Sequence, residues 1–360
     1  MNIVFVYADN KVELNTSVWR CFIPAEAIDK LEGHSAKAIY TKEFVENSEE
    51  TQKLCLNADI IIVERNFFGD ILASMMYWKV RNKIVAGNFD DAYDKMHPAN
   101  ATYKFWALSQ GEVIENDKKV TKQIEPPPLK QFKWGLNLVA GALVPSRVLV
   151  DDWKDYTEMH YCPNYPDTKR YQNLERQDHT GIIIGWGGSL SHFQSFDESG
   201  VLKALIRVCK KHDNVRIMIA GDKRVYDKVK LDEGKKMYQN FVPFERWPTV
   251  VNNFDIGLAP LSGDYDRRRS WIKPLEYMLL GIPWVATDNG AYDELKDHGE
   301  LIKNGYFNWE KAIDLTIEEF KIRKEKAMDV SQKFALEQDI TKNTSKLIKQ
   351  YHSIIKRGYK

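Results

Sequence analysis

The chain has 360 residues, a length typical of two domains of ordinary size. With 43% hydrophobic residues it can bury a core in each domain, and its net charge of +1 argues against a polyanionic partner recognised by overall charge. Four cysteines lie far apart without a C-x-x-C pair, which argues against structural zinc and against a disulfide framework. No apolar run approaches the roughly 20 residues that span a bilayer, and the chain opens on a strand pattern rather than a signal peptide. We therefore expect a soluble cytoplasmic protein.

Short apolar runs alternate with longer mixed segments in the first half of the chain. Apolar residues at helical spacing, from Val18 to Ile28, separate the first two runs. This alternation predicts a doubly wound parallel sheet whose functional edge lies at the carboxyl ends of its strands. The predicted strands are residues 2–7, 36–40, 59–63, 83–86 and 142–144.

The same pattern restarts after a turn-rich stretch at residues 162–179. Predicted helices at residues 201–209 and 274–280 accompany new strands, so we expect a second doubly wound sheet. The segment from residue 309 to residue 359 is charged and almost wholly helical in pattern. The predicted strands are residues 181–185, 215–220, 240–242, 255–259 and 284–286.

These patterns divide the chain into three parts. Residues 1–165 are predicted to form an N-terminal Rossmann-like domain, and residues 166–335 a C-terminal one. Residues 336–360 are predicted to form a final helix that packs back across the N-terminal domain. Two such domains facing across a cleft suit a reaction between two substrates, because each can bind one and closure brings them together.

The most informative stretch is residues 270–286. Pro274 fits the first position of a helix, and Gly281 ends that helix before a buried strand. Lys273 and Glu276 then lie near the free N–H groups of a helix N-terminus. A lysine there suits a phosphate, and the carboxylate can accept hydrogen bonds from two vicinal hydroxyl groups. Together they predict a nucleotide site.

A second phosphate signal lies at residues 186–192, where Gly187 and Gly188 follow an apolar strand. Backbone N–H groups in such a turn can approach an anion closely, although the same residues can equally form a tight turn without a ligand. The spacing is not G-x-G-x-x-G, which disfavours a dinucleotide-dependent dehydrogenase. His192 is able to donate to a phosphate or a sugar, or merely to cap the helix.

Asp90 and Asp91 follow the fourth predicted strand, at the functional edge of the first sheet. Paired carboxylates can orient an acceptor hydroxyl group or take its proton, and they can equally cap the next helix. No companion cluster of His or carboxylates lies near them in sequence, so we predict no metal. Arg20 either binds an anionic acceptor or pairs with an acid of the first lobe. Tyr93 and His97 are candidates to line the acceptor side.

The order of these motifs resembles that of GT-B glycosyltransferases, in particular the retaining family 4 and its bacterial and phage relatives. The matching segments of the second lobe are residues 185–192, 219–222, 254–261 and 270–285. Those of the first lobe are residues 19–25, 58–65, 88–91, 144–146 and 163–164. The resemblance covers nearly the whole chain. It implies an α/β protein of GT-B architecture, with two Rossmann-like doubly wound parallel-sheet domains facing across a cleft.

The resemblance also implies roles for the residues singled out above. Glu276 would bind the ribose hydroxyl groups, and Lys273 with the glycine loop would hold the diphosphate. Asp90 or Asp91 would face the transferred sugar or the acceptor hydroxyl group. Together with the reasoning from the residues, this predicts a donor site of Gly187, Gly188, Ser189, Arg268, Ser270, Lys273 and Glu276. We predict Asp90, Asp91, His192 and Lys273 as catalytic residues, with Arg20, Tyr93 and His97 on the acceptor side.

One position departs from the family pattern. Family 4 usually has a second carboxylate eight positions before the ribose-binding glutamate, where it contacts the sugar. This chain has Arg268 there, within the triplet Arg267–Arg269. The sugar contact is therefore missing or supplied elsewhere, and the arginines are candidates to compensate phosphate charge instead.

We therefore predict a glycosyltransferase that moves a sugar from a nucleotide-diphosphate sugar, most simply a UDP-sugar, to an acceptor hydroxyl group. The resemblance implies retention, and we expect no cofactor beyond the donor. The acceptor is a saccharide or a lipid-linked saccharide, with a hydroxymethylated base of phage DNA as the alternative. The small acidic excess of residues 1–165 weighs against DNA, whereas a basic tail permits it. That tail comprises Lys346, Lys349, Lys356, Arg357 and Lys360.

Two rivals remain at this point. A sugar-nucleotide epimerase shares the two-lobed shape and would turn over the donor alone. A non-catalytic protein that only binds sugar nucleotides is suggested by Arg268 in place of the family's acid.

Overall fold

A computed structural model describes residues 1–11, 14–115 and 118–359, so Lys360 of the basic tail lies outside the described residues. The first lobe is built on a six-stranded parallel sheet, with a separate antiparallel hairpin of β5 and β6. The strands of this half are β1 (Asn2–Tyr7), β2 (Ser35–Tyr40), β3 (Ile60–Glu64), β4 (Val85–Asn88), β5 (Gln110–Glu115), β6 (Lys118–Gln123), β7 (Ala142–Val144) and β8 (Met159–Tyr161). The order in the parallel sheet is β2-β1-β3-β4-β7-β8.

Helices connect these strands and cover both faces of the sheet. A π-helical turn, Val18–Phe22, leads directly into the first α-helix. The α-helices are α1 (Ile23–Asp29), α2 (Thr41–Glu46), α3 (Glu49–Asn57), α4 (Asp70–Lys79), α5 (Tyr103–Trp106), α6 (Pro128–Leu138) and α7 (Arg147–Trp153).

The second lobe repeats this design. Its strands are β9 (Ile182–Gly188), β10 (Val215–Gly221), β11 (Lys236–Gln239), β12 (Ile256–Ala259), β13 (Trp284–Thr287) and β14 (Glu300–Ile302). They form a second parallel sheet in the order β11-β10-β9-β12-β13-β14. The remaining helices are α8 (Phe193–Glu198), α9 (Val201–Lys211), α10 (Lys223–Lys228), α11 (Trp247–Val251), α12 (Gly263–Asp266), α13 (Ile272–Leu279), α14 (Tyr306–Glu318), α15 (Phe320–Lys326), α16 (Gln332–Glu337) and α17 (Ile340–Gly358).

Each sheet is buried on both faces, as its nearly continuous apolar strands predict. In β1, Val4 and Val6 contribute to one hydrophobic cluster while Ile3 and Phe5 contribute to another on the opposite face. This two-sided packing fixes the carboxyl ends of the strands, where polar loops can carry chemistry without disturbing the core.

The chain passes between the lobes twice, once before β9 and once before α17. These two crossings are hydrogen bonded to each other. Ile340 donates its backbone N–H to the carbonyl of Pro166 at 2.8 Å, and the Asp339 carboxylate accepts from the Thr168 N–H at 3.0 Å. Asp339 also caps α17 through the N–H of Thr341.

Helix α17 lies against the first lobe. Tyr351 contacts Phe5 of β1 edge to face, with ring centroids 6.3 Å apart, and the Gln350 amide donates to the Tyr161 carbonyl at 2.6 Å. The last helix of the chain therefore packs on the lobe formed by the first residues. Among the described residues, no helix is both long and apolar enough to cross a membrane.

The predicted pair of doubly wound parallel sheets is confirmed, and several boundaries differ. The prediction of a strand at residues 240–242 is wrong, because the strand in this part of the chain is β11, Lys236–Gln239. That strand lies at the sheet edge and is half-buried, so it lacks the apolar run on which the prediction depended. The strand predicted at residues 83–86 is Val85–Asn88.

Two further local features were not expected. Helix α13 begins at Ile272, so Pro274 is its third residue, still within the turn whose N–H groups have no helical partner. The hairpin of β5 and β6 was not predicted, because its strands are polar and highly charged.

Candidate functional site

A cleft of about 1350 Å³ lies between the lobes, bounded by loops at the carboxyl ends of both parallel sheets. Its volume exceeds the roughly 300–1,000 Å³ of a pocket for one drug-sized ligand. Two substrates can therefore occupy it together.

The cleft brings together most of the predicted site residues. The wall from the second lobe, which we call the donor wall, includes Gly187, Gly188, Ser189, His192, Ser270, Lys273 and Glu276. The wall from the first lobe, which we call the acceptor wall, includes Asp90, Asp91 and Tyr93.

Arg20 is not among the residues that line the cleft, which corrects its predicted place on the acceptor side. Its guanidinium is buried and donates to the side-chain oxygens of Asn88 and Asn164 and to the carbonyl of Cys162. Neutral oxygens accept from it, and no acid of the first lobe among the described residues forms an ion pair with it. Arg20 instead connects the first helical segment to β4 and to the loop after β8.

His97 and Arg268 also lie outside the cleft lining, and each connects the two lobes. His97 Nε2 is 3.4 Å from a carboxylate oxygen of Glu198. The buried Arg268 guanidinium pairs with Asp152 of the first lobe and with Asp264 at 2.8 Å. These placements correct the predicted acceptor role of His97 and donor role of Arg268, because carboxylates outside the cleft already hold both side chains.

Lys273 carries the donor wall's least compensated charge. Its Nζ lies 3.2 Å from His192 Nε2, which also faces Arg269 Nη1 at 3.2 Å. Among the residues that the structure describes, no carboxylate lies within ion-pair distance of Lys273. Arg269, in contrast, pairs with the buried Asp266 at 2.7 Å.

His192 is a neutral acceptor between these two cations. Burial, together with the charges of Arg269 and Lys273, holds the pKa of His192 well below its usual range. Nε2 therefore accepts, and the proton is assigned to Nδ1, a buried atom with no hydrogen-bond partner among the described residues. Burial and the nearby Arg269 also lower the pKa of Lys273. Among the described residues, Lys273 thus lacks a directly paired anion, and binding one would stabilise its positive charge.

Glu276 is buried at the bottom of the donor wall. Its carboxylate accepts hydrogen bonds from Trp247 Nε1 at 3.0 Å and from the Tyr171 hydroxyl at 3.1 Å. Burial raises the pKa of Glu276, and the Trp247 hydrogen bond partly offsets this rise. Two neutral donors therefore fix the orientation of the carboxylate while leaving it capacity to accept from a ligand.

The two glycines that end β9, Gly187 and Gly188, are required by packing. A Cβ on Gly187 would lie 2.1 Å from the Trp247 ring, and one on Gly188 would lie 2.6 Å from the Trp186 ring. Only glycine lets the end of β9 approach the indole of Trp247, which in turn holds Glu276. The end of β9 and the carboxylate are therefore parts of one packed unit.

On the acceptor wall, Asp90 and Asp91 follow β4 and differ in their partners. Asp90 accepts from the Tyr93 hydroxyl group. Burial raises the pKa of Asp91, which the positive charge of Arg269 partly offsets. Asp91 Oδ1 lies 3.6 Å from Arg269 Nη1, so an ion pair spans the cleft.

Sequence reasoning did not single out Arg269 or Arg65. The triplet of arginines gave no signal for choosing among its members, and only the fold shows that Arg269 lines the cleft while Arg268 does not. Arg65 follows β3 directly and has a left-handed backbone with φ of 38°. Its guanidinium pairs with Asp9 and lies 3.8 Å from Asp90. The sequence did offer one indication for Arg65, because it is a charged residue directly after a buried strand, at the edge where parallel sheets bind ligands.

Among the described residues, no group of three or more His, Cys, Asp or Glu side chains could hold a metal ion. The fold and the cleft define a class of enzyme with two Rossmann-like lobes, in which one lobe carries a cationic pocket and the other carries carboxylates. Comparisons with known proteins identify that class.

Residues 183–318 match the family model for glycosyl transferases group 1. No curated protein matches the chain by sequence. Among solved structures, HepE of Anabaena in complex with UDP-glucose has a TM-score of 0.65 at 13% identity, covering 98% of this chain and 100% of HepE. Sucrose-phosphate synthase of Thermosynechococcus elongatus has a TM-score of 0.65 at 10% identity, with 98% of each chain covered.

A protein named for another reaction shares the fold as well. A putative UDP-N-acetylglucosamine 2-epimerase of Listeria monocytogenes has a TM-score of 0.55 at 8% identity, covering 97% of this chain and 94% of that one. At such identities the structural matches establish the GT-B fold. With the group 1 domain in its second lobe, the chain is a glycosyltransferase of that fold. The narrower resemblance to family 4 and to phage relatives stays a prediction.

Proposed function

We propose that this glycosyltransferase takes a sugar from a UDP-sugar bound to the donor wall and transfers it to a hydroxyl group presented at the acceptor wall. The observation that carries this proposal is the charge of Lys273. It lines the cleft, its hydrogen-bond partner is the neutral His192, and no described carboxylate pairs with it. A diphosphate would supply the missing anion.

Glu276 supports a nucleoside next to that diphosphate. It lies one turn of helix from Lys273, and its carboxylate is held by Trp247 and Tyr171. A ribose donates two vicinal hydroxyl groups, which a fixed carboxylate can accept together. HepE, which has the same fold, was crystallised with UDP-glucose, and this favours uridine among the nucleosides.

In this proposal, catalysis depends on stabilising the departing UDP. Lys273 and Arg269 would neutralise the charge that develops on the diphosphate, so the reaction needs no metal ion and no cofactor beyond the donor. Ser189 and Ser270 line the same part of the cleft and would donate hydrogen bonds to phosphate oxygens. Closure of the lobes would exclude water.

Asp90 and Asp91 would face the acceptor hydroxyl group from the opposite wall. The family resemblance favours transfer with retention of the anomeric configuration. Four buried free thiols are compatible with a reducing compartment such as the cytoplasm. The enzyme's acceptor would be a saccharide or a lipid-linked saccharide, with a hydroxymethylated base of DNA as the alternative.

A sugar-nucleotide epimerase is the second candidate, favoured by the fold shared with the Listeria protein. It would convert the donor without an acceptor and without releasing UDP. The group 1 glycosyltransferase domain favours transfer. A non-catalytic binding protein, suggested by Arg268 in place of the family's acid, would bind UDP and release none from any donor.

Calorimetry with UDP and a UDP-release assay with UDP-glucose would test the proposal. We expect Glu276→Ala to weaken UDP binding and Lys273→Ala to lower turnover sharply. Lys210→Ala, which changes an exposed lysine of α9, is the matched control. Wild-type behaviour of both cleft variants would rule out the assigned site, and epimerised donor without UDP release would favour the second candidate.

A further inference from the structure

The cations of the acceptor wall already have carboxylate partners. Lys11 pairs with Glu43 at 2.6 Å. Arg65 pairs with Asp9, and its Nη1 lies 3.8 Å from both Glu64 and Asp90. In the part of the cleft that the structure describes, this wall therefore offers no uncompensated positive charge to a phosphate group of an acceptor.

The same wall has an excess of hydrogen-bond acceptors. Asp90, which lines the cleft, lies beside the guanidinium of Arg65, and the buried Asp9 and Glu64 contact the same guanidinium from outside the cleft lining. Asp91 is the second carboxylate that lines this wall, and its cationic partner belongs to the other wall. Such a surface repels polyanions and favours ligands that donate hydrogen bonds.

Aromatic rings form another part of the acceptor wall. Phe68 and Phe105 line the cleft, half-buried, with ring centroids 4.8 Å apart. Trp106 and Tyr93 pack behind and beside them, also with centroids 4.8 Å apart. Aromatic faces beside carboxylates match a molecule that has an apolar face and a rim of hydroxyl groups.

We infer that the acceptor is an uncharged saccharide, held with its hydroxyl groups toward Asp90 and Asp91 and with the C–H face of a sugar ring against Phe68 and Phe105. This inference rests on the proposed function, because it assigns the acceptor of the same reaction. It disfavours hydroxymethylated DNA and phosphate-rich polymers at this wall. The basic residues of α17, where described, do not line the cleft.

The test is a panel of acceptors with UDP-glucose as donor, scored by UDP release above the rate without acceptor. The neutral probes are maltotriose, cellotriose and chitotriose, and the anionic probes are poly(glycerol phosphate) and duplex DNA containing hydroxymethylcytosine. We expect at least one neutral probe to raise UDP release about tenfold or more, with little change between 50 and 300 mM NaCl. A polyanion bound through its phosphates would instead lose activity steeply over that range.

A matched pair of variants locates the acceptor. Phe105→Ala should raise the KM for the active saccharide about five- to tenfold, because the ring face loses its contact. Leu108→Ala changes an exposed side chain three residues on, outside the cleft lining, and should leave the KM within twofold. UDP affinity measured in both variants reports whether each is folded.

The outcomes separate this inference from the proposed function. Turnover of a polyanion with a steep salt dependence, or no turnover of any neutral probe by an enzyme that binds UDP, overturns the saccharide assignment alone. An equal KM for Phe105→Ala and Leu108→Ala overturns the assigned wall. Failure of the wild-type protein to bind UDP at all overturns the proposed function instead.

Discussion

Arg269 of the second lobe and Asp91 of the first lobe form an ion pair across the cleft, with 3.6 Å between Nη1 and Oδ1. Both residues line the cavity, and Arg269 also contacts His192. A diphosphate that binds Arg269 would compete with Asp91 for its charge. Since Arg269 lowers the pKa of Asp91, losing that partner would make the carboxylate more basic when the donor is bound. Donor binding and the acceptor-wall carboxylate are thus linked through one guanidinium.

We predict that Arg269→Gln lowers kcat for UDP release about 100-fold, the usual cost of removing one donor that stabilises developing negative charge. Arg269→Lys should recover part of the loss, because it keeps the charge but not the fork of donors. Steady-state rates with saturating UDP-glucose would measure both. A full rate in the glutamine variant would mean that Lys273 alone stabilises the leaving group.

Arg268 should behave differently from its neighbour. Because it pairs with Asp152 and Asp264 outside the cleft lining, Arg268→Gln should leave UDP affinity within twofold of wild type. The lost ion pairs, which are partly exposed, should cost about 1–2 kcal/mol of stability. Calorimetry with UDP and thermal unfolding would measure the two effects. A large loss of UDP affinity would return Arg268 to the donor site.

Gly187→Ala tests the contact between the glycine loop and Trp247. The added methyl group would lie 2.1 Å from the indole, so the ring must move and its hydrogen bond to Glu276 is disturbed. We expect weaker UDP binding and a loss of stability of about 1–3 kcal/mol. Gly234→Ala is the control, since its Cβ would meet nothing within 4 Å. Equal UDP affinities in the two variants would contradict this coupling.

Glu64 predicts a pH dependence of stability. Burial raises the pKa of Glu64 from 4.5 to about 7, so between these values the folded state holds a proton that the unfolded state has released. Its contribution to stability is therefore present at low pH and is lost as the pH rises through about 7. Between pH 5 and pH 8 the loss from this group is about 2 kcal/mol.

Comparing the Tm of Glu64→Gln and wild type at pH 5 and pH 8 would isolate this effect. We expect the variant to lose less stability than wild type over this interval. Glu32→Gln, at an exposed position, should follow the wild-type profile. Identical slopes for wild type and Glu64→Gln would show that Glu64 is ionised at both pH values.

The sequence predicted the fold well because its information is local. Buried parallel strands are continuous apolar runs, and β1, β9 and β13 were found at or near their true bounds. The edge strand β11 was missed because it is half-buried, and a half-buried strand does not need a continuous apolar run. Lys273 and Glu276 were placed in one helical turn, and the structure places them together in the cleft.

The cleft residues that were missed depend on contacts between distant parts of the chain. Arg268 and Arg269 are neighbours in sequence but have different places relative to the cleft. Arg268 forms an ion pair with Asp152 of the first lobe, and Arg269 forms one with Asp91. The charge of Arg20 suggested an anionic partner. Its actual partners are amide and carbonyl oxygens of residues more than sixty positions away in sequence. No local pattern encodes those pairings.

The doubled passage of the chain between the lobes restricts how the enzyme can open and shut. Because Ile340 is bonded to Pro166 and Asp339 to Thr168, the two segments cannot slide past each other without breaking these bonds. Rotating one lobe against the other about the long axis of the molecule would require such sliding. A hinge rotation about the line that joins the two segments requires only changes in backbone dihedral angles. A motion that keeps these bonds intact is therefore a swing about that line, which would widen or narrow the mouth of the cavity.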